Sequence, residues 1–475
     1  MGFCGGAITI MRLAYFSPLP PQKSGISDYS EELLSYLGKY YDIDLWVSGD
    51  KPNNSLCKKY RVIYYRNSKT KLSKLDDYDV ILYNIGNNPE YHAEIYDVFL
   101  HYPGYVILHD FVLYYLITGY FLDYKKDRIG YIREFYENYG NEGIAGVKNV
   151  LRGNVPPLQF KNPELFPLNK SIIQNATGII VHSDYTRDLI VKIGYPESRI
   201  VKINHLHFNN SNSSSLSEIK KQRLREKYGI QKSDLLIASF GYIAPTKRNY
   251  EIIKAINRII DTSGESLKYI MVGEGNYVDG LLNDKIIKTG FVSNEDLEAW
   301  IDCADVIVNL RFPSMGETSG TLIRALSKGK PCIITNNAWF SEIPDGAVLK
   351  ISFDPLREQK ELYEAFSMFI NHPELRYQYG EEAKKYVIEN HDPLNIADQF
   401  FNFFKSNFRN NSQNFRMEYC NKSLFRVEEI FREDISNDFR VKYRKRMLKK
   451  LKTIGLENDP KTEGFVQEIK KYFVN

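Results

Sequence analysis

From Leu13 to about Asn390, short apolar runs alternate with amphipathic helical stretches, and this alternation admits few architectures. The runs "LAYFSP" (13–18), "IDLWV" (43–47), "VILYNIG" (80–86), "YVILHD" (105–110) and "GIIVHS" (178–183) lack polar alternation and end in turn residues. A strand that is apolar on both sides belongs in a parallel sheet covered by helices on both faces. Stretches such as "DYSEELLSYLGKY" and "SDYTRDLIVKIG" supply those helices. The polar, low-complexity segment "FNNSNSSSLS" (208–217) interrupts the pattern and reads as a linker. The alternation then restarts: "LLIASFG" (235–241), "YIMVGEG" (269–275), "IIKTGFV" (286–292), "VIVNLR" (306–311), "PCIITN" (331–336) and "AVLKI" (347–351). The expected fold class is α/β, with two doubly wound, Rossmann-like domains facing a central cleft and a helical C-terminal tail. In such sheets ligands bind at the carboxyl ends of the strands.

The expected boundaries are an N-terminal domain over 1–208, a linker at 209–217, a second domain over 218–390, and a crossover helix with a basic helical tail over 391–475. The first domain carries an aromatic-rich helical insert at 111–167. A chain of 475 residues is long enough for two or three domains with full cores. Lysine plus arginine exceed aspartate plus glutamate by 63 to 59, which gives no ground for a nucleic-acid partner. The five cysteines are scattered and form no C-x-x-C pair, so neither a disulfide framework nor a zinc ribbon is indicated, and a reducing cytoplasm fits. The richest apolar stretch, "FVLYYLITGYFL" (111–122), falls short of the roughly 18 residues needed to cross a bilayer. The opening "MGFCGGAITI" lacks the basic flank of a signal peptide and reads as an extension ahead of Met11. In the tail, 440–452 holds eight basic residues out of thirteen. Such a run is either a solvated helix face or a contact with an anionic membrane surface. The expected location is therefore cytoplasmic, with the inner face of the cell membrane as the place of any such contact.

Two stretches carry candidate chemistry. In "FGYIAPTKRNYEIIKAI" (240–256) a strand ends at Gly241 and a proline-containing turn leads to Lys247 and Arg248 at an expected helix start. Two cations beside free backbone N–H groups form an anion site; alone, the pair would equally be exposed surface residues. In "RFPSMGETSGTLIRALSKGKPCIITNN" (311–337), Glu317 precedes Thr318, Ser319 and Gly320, with a helix expected over 321–328 and Gly329 as its stop. Small residues before a helix let a ligand approach the backbone. His109 and Asp110 close the strand "VILHD", at the edge facing the expected cleft. The Asp-x-Asp pairs Asp42–Asp44 and Asp77–Asp79 flank expected strands and read as turn carboxylates, so no metal site is implied.

The order and spacing of "FGYIAPTKRN", "YIMVGEGN", "GFVSNEDLEAWIDCADVIVNLR" and "RALSKGKPCI" resemble the C-terminal half of the group 1 (family 4) glycosyltransferases of the GT-B fold. In the first half, "FSPLPPQKSGISDYSEELLSYL" is similar to the family's first strand, glycine loop and helix, and "GIIVHSDYTRDLI" to its last strand and helix before the crossover. The resemblance implies transfer of a sugar from a nucleotide-diphosphate sugar to a glycan or lipid-linked acceptor in surface polysaccharide or glycoconjugate synthesis. It further implies retention of configuration, with no metal or other cofactor. On the matching positions, His109, Lys247 and Glu317 would be catalytic. Ser24, Gly25, Tyr242, Arg248, Gly290, Phe291, Thr318, Ser319, Gly320 and Thr321 would hold the donor, with Gly290 and Phe291 near the base.

The chain departs from the family at two points. Tyr242 stands where a phosphate-binding arginine is common, and Arg324 stands where a second glutamate is common. Both departures favour one alternative, a non-catalytic glycosyltransferase-like binding subunit. A second alternative is a nucleotide-sugar epimerase, though such enzymes carry additional carboxylates and histidines in the cleft that this sequence does not show. A dinucleotide-dependent oxidoreductase is disfavoured, since no G-x-G-x-x-G follows the first strand.

Overall fold

The protein is described by a computed structural model over residues 11–66, 68–207, 214–264 and 266–408. The basic run at 440–452 and the opening decapeptide lie outside the described residues.

Among the described residues, thirteen strands form two sheets. The first holds β1 (Met11–Phe16), β2 (Tyr41–Val47), β3 (Arg61–Tyr64), β4 (Val80–Ile85), β5 (Tyr105–Leu108), β6 (Gly178–Val181) and β7 (Ile200–Lys202) in the order 3-2-1-4-5-6-7. The second holds β8 (Leu235–Phe240), β9 (Leu267–Val272), β10 (Ile286–Lys288), β11 (Val306–Asn309), β12 (Cys332–Thr335) and β13 (Leu349–Ile351) in the order 10-9-8-11-12-13. Every pairing is parallel; in the first sheet, for example, Leu13 pairs with Ile43 on one side and Val80 on the other. Each sheet therefore reverses its winding once, between β1 and β4 and between β8 and β11. At such a switch point the loops diverge to opposite faces and leave a crevice.

The apolar runs are inner strands because they are buried on both faces. All six residues of β4 are buried, with clusters around Phe16, Tyr83 and Phe99 on one face and around Leu13, Leu33 and Phe404 on the other. The strands that no apolar run marks are β3 and β7. Both are short edge strands whose residues are mostly part-exposed, so burial imposes no continuous apolar pattern on them.

The insert is helical, with helices over Tyr114–Gly119 and Arg128–Gly146, and its Leu116, Ile117, Tyr131 and Phe135 complete the first sheet's core. The helix Pro393–Phe408 returns from the second unit and packs Ile396, Ala397, Phe400 and Phe404 against Leu33, Leu34 and Tyr105. Each buried phenylalanine there contributes about 2 kcal/mol.

Two readings need correction. The expected linker (209–217) overlaps the helix Ser214–Lys227, because the Leu, Glu, Lys, Gln and Arg residues that follow the serines are strong helix formers. Asp42 and Asp44 lie within β2 and not in a turn. Asp44 is buried and ion-paired with Arg12 (3.4 Å) and Arg61, which hold its carboxyl below the usual range.

Candidate active site

The second sheet's switch point is built by two loops. After β8, Gly241 donates to Val272 O (3.0 Å) and Ile243 to Glu274 O (2.6 Å), so this loop lies against the loop after β9. A Cβ on Gly273 would stand 2.1 Å from Gly241 O, which is why the "VGEG" strand end requires glycine there. Pro245–Lys247 then forms one 3₁₀ turn, Arg248 adopts a left-handed conformation (φ 57°), and the helix runs over Asn249–Ser263.

That left-handed residue separates the two neighbouring cations. The Lys247 ammonium folds back towards the strand end, 3.2 Å from Phe240 O, and is largely desolvated. Burial, with Arg311 nearby, pushes its pKa well down, while Glu317 pulls the other way. The Arg248 guanidinium instead pairs with Glu358 (Nε–Oε1 2.9 Å) and with Glu251 (3.3 Å). Arg248 was expected among the donor-binding residues; the structure places its charge in these pairs.

After β11, the chain from Arg311 to Gly320 forms the opposite wall. Phe312 N donates to Thr246 O (2.9 Å), tying the two walls together beside Arg311 and Lys247. Glu317 accepts from Met315 N (2.6 Å) and Ser314 Oγ (3.2 Å), and its other oxygen lies 3.2 Å from Arg311 Nε. The helix Gly320–Ser327 follows. Its N-cap Ser319 accepts from Leu322 N (3.3 Å) and is oriented by Asn309 Nδ2 (2.9 Å). Thr321 Oγ1 is 3.2 Å from Ser319 Oγ, and Thr318 precedes the cap. The first N–H groups of this helix have no intrahelical acceptor.

The first unit meets this wall directly. Met315 O accepts from Phe111 N (2.8 Å) and Val112 N (2.9 Å), and Gly316 O accepts from Thr186 Oγ1 (3.0 Å). Gly316 has φ 81°, and a Cβ there would stand 2.4 Å from Phe111 Cβ, so only glycine allows this contact. The turn carrying Glu317 is thus gripped two residues beyond His109. His109 Nε2 lies 3.0 Å from Asn84 Oδ1. Asn84 Nδ2 donates to Phe16 O (3.2 Å), so Oδ1 must accept, the proton sits on Nε2, and Nδ1 is left as an acceptor. Burial keeps this imidazole neutral by lowering its pKa well below the ordinary value. Asp110 accepts from Asn87 N (2.8 Å); burial, then the charge of Glu317, raises its pKa to about 7.

The remaining expected contacts spread along the cleft. Ser24 caps the helix Gly25–Leu37, and Lys23 beside it stacks over the ring of Phe291 at 4.1 Å. Phe291 is 51% exposed and follows Gly290 just beyond β10. Tyr242 is 68% exposed and contributes no charge to the strand end. The structure therefore gathers His109, Lys247, Glu317 and the start of the helix at Gly320 around one crevice, with Arg311 and Asp110 added. A larger surface depression, lined by Glu218, Arg225, Asp234, Asp302 and Arg376, opens at the amino ends of β8 and β11. Its polar groups bond locally, as when Arg225 donates to Gln231 O and Asp234 O, so the carboxyl-edge crevice is the better site.

Arg324 does not enter the crevice. It is buried, pairs with Glu298 (2.8 Å) and lies 3.7 Å from Asp28 of the first unit. Removing one partner of a buried pair costs about 3 kcal/mol, because the other charge stays behind. Arg324→Ala is expected to lower stability in chemical denaturation by about that amount while donor affinity stays within a few-fold. An unchanged denaturation midpoint would show that the pair is not structural.

Among the described residues no group of three or more His, Cys, Asp and Glu converges as a metal site would, and no helix is long and apolar enough to cross a membrane.

Comparison with known proteins agrees with this geometry. Residues 220–386 match the family model described as glycosyl transferases group 1. EpsD of Bacillus subtilis (strain 168), itself only assigned as a glycosyltransferase, is 27% identical over 205 residues. That alignment covers 40% of this chain and spans about half the length of the relative. Among solved structures, Anabaena HepE in complex with UDP-glucose covers 83% of this chain and all of its own, at 14% identity and a TM-score of 0.58. A glycosyltransferase from Rickettsia africae covers 85% of this chain and all of its own, at 15% identity and 0.57. The lipopolysaccharide glycosyltransferase WaaG covers 82% of this chain and 98% of its own, at 14% identity and 0.53. The chain has the GT-B fold of these glycosyltransferase structures, and its residues 220–386 match the group 1 family model.

Proposed function

We propose that this chain transfers a sugar from a nucleotide-diphosphate sugar to a glycan or lipid-linked acceptor, in the synthesis of a surface polysaccharide or glycoconjugate. The observation that carries the reading is the desolvated Lys247 ammonium at the second sheet's switch point, across from the helix start at Gly320. A departing diphosphate would be neutralised from both sides, by a point charge and by free N–H groups. Glu317 and the Nδ1 of His109 would accept hydrogen bonds from the donor sugar's hydroxyls and fix its ring. With charge stabilisation supplied by the chain itself, the reaction is proposed to run without a metal. The acceptor would enter on the face that the diphosphate leaves, with retention of configuration. The aromatic insert would form the acceptor side, and 440–452 would attach the protein to the inner face of the membrane. The UDP-glucose of the HepE complex makes that donor the first to try.

Asp110 gives the epimerase reading one specific observation. A carboxyl with a pKa near 7 beside Glu317 is suited to moving protons. The two enzymes separate in one experiment, incubation of a nucleotide-sugar panel with and without acceptor glycans. Transfer predicts nucleoside diphosphate release that acceptor increases; epimerisation predicts an altered sugar without acceptor. No turnover of any donor would sink the transferase reading and leave a binding subunit.

A further inference from the structure

Resting on the donor reading above, we propose that Arg311 is the second diphosphate-binding cation of this site and supplies the charge that Tyr242 and Arg248 do not. Arg311 lies two residues beyond β11, across the switch point from the loop that follows β8. The hydrogen bond from Phe312 N to Thr246 O joins the immediate neighbours of Arg311 and Lys247, so the two cations sit on walls pinned to each other. Arg311's own N–H donates to Thr335 Oγ1 (3.0 Å), which fixes the start of its side chain on a strand end.

The contrast with Arg248 is one of satisfaction. Arg248 is held by two carboxylates, one of them fully buried, and has no reason to leave them. The Arg311 guanidinium is mostly buried, and its Nε lies 3.2 Å from Glu317 Oε1. That contact is within ion-pair range but off the N–H direction, so the buried Nε–H makes no hydrogen bond. A buried donor left without an acceptor is rare and costly, and here it lies beside Glu317 and near Asp110 and Lys247, where an anion is expected. The charge count agrees. Beside Arg311, burial and the charge of Glu317 raise Asp110 to about 7, so that carboxyl is partly protonated near neutral pH and offsets the guanidinium only in part.

The chemistry then follows from shape. A guanidinium presents a planar fork that matches two phosphoryl oxygens, whereas the Lys247 ammonium acts as a point charge. An arriving diphosphate would draw the fork of Arg311 away from its misaligned contact with Glu317. Glu317 would in turn be released towards the sugar hydroxyls, coupling diphosphate capture to sugar positioning.

The test is calorimetric titration of the wild type, Arg311→Gln and Arg311→Lys with nucleoside diphosphates and the matching monophosphates, UDP and UMP first. Arg311→Gln is expected to lose about 10- to 100-fold in diphosphate affinity, with monophosphate affinity changed less than about 3-fold. Arg311→Lys, which keeps the charge without the fork, should lose an intermediate amount. Should the glutamine variant fail to fold by circular dichroism, the lysine variant decides. An undiminished preference for diphosphate over monophosphate in the folded variants overturns the role of Arg311 and leaves the donor reading standing. A wild type that binds no nucleoside diphosphate overturns the donor reading, and this inference with it.

Discussion

Lys247→Ala is expected to reduce kcat/KM for the nucleotide-sugar donor by about 10²–10³-fold, a loss of roughly 3–4 kcal/mol of transition-state stabilisation. The effect is large because the ammonium sits in a water-poor crevice, where a charge aimed at a leaving group is far stronger than in solvent. The fold should survive the change, since the ammonium makes one hydrogen bond, to Phe240 O. A pH signature accompanies it. Burial and Arg311 hold the pKa of Lys247 well down, against the pull of Glu317. A bound diphosphate brings negative charge and raises it again. At pH around and above that lowered pKa, donor binding should therefore take up a proton and weaken as pH rises, and Lys247→Ala should abolish that uptake. Titrations in buffers of different ionisation enthalpy measure it. A variant that keeps more than about a tenth of wild-type kcat/KM would contradict this role.

The second large effect is expected from acid. Tyr29 is ringed by His109 (5.0 Å), His182 (5.3 Å) and His205 (4.8 Å), and the Nδ1 of His391 lies 2.5 Å from His205 O. The Nε2 atoms of His182 and His391 are buried without hydrogen-bond partners, so a proton there has nothing to stabilise it. Burial lowers the pKa of His92, His182 and His391 to about 4, and that of His109 and His205 likewise downward. The unfolded chain protonates these groups near the ordinary value of about 6.5. Between pH 6.5 and 4 it therefore binds more protons than the folded chain, and stability falls with pH. Asp110 and Glu134, raised to about 7, act in the opposite sense, because the folded state holds their protons. Among the other shifted carboxyls, Asp28 and Glu137 are raised and also act in that opposite sense, while Asp44 and Asp234 are lowered and destabilise the fold only at more acid pH. Three histidines lowered to about 4 against two carboxyls raised to about 7 leave about one proton, on the order of 1 kcal/mol per pH unit near pH 5, and His109 and His205 add in the same direction. Typical domains hold only about 5–15 kcal/mol in total. Thermal unfolding followed by circular dichroism should show a fall in apparent Tm below about pH 6. A Tm constant down to pH 4.5 would mean that these histidines are not held neutral.

The inner strands of both sheets are legible because a strand buried on two faces leaves no room for polar alternation. The edges β3 and β7 are not legible, since solvent on one side removes that constraint. The crevice is legible where a motif carries a backbone requirement, as with Gly241 to Gly275 and with Glu317 to Gly320. It is not legible where the outcome depends on a single dihedral. Lys247 and Arg248 are adjacent cations, and only the left-handed turn at Arg248 decides which one reaches the strand end. Arg311 stands at the head of the glutamate stretch, yet a cation after a strand ordinarily faces solvent. Its burial follows from the long-range bond between Phe312 and Thr246, which has no local signature. Arg324 looks like a loss of function from sequence alone. Its partners Glu298 and Asp28 come from different parts of the chain and turn the departure into an interdomain contact.

A nucleotide-diphosphate sugar is proposed to sit between Lys247 and the helix start at Gly320. Calorimetric titration of the wild type and Lys247→Ala with a panel of nucleotide sugars, UDP-glucose first, tests this most directly. One saturable site in the wild type, strongly weakened in the variant, is the predicted result. No saturable binding of any donor, or binding that Lys247→Ala leaves undiminished, would contradict it.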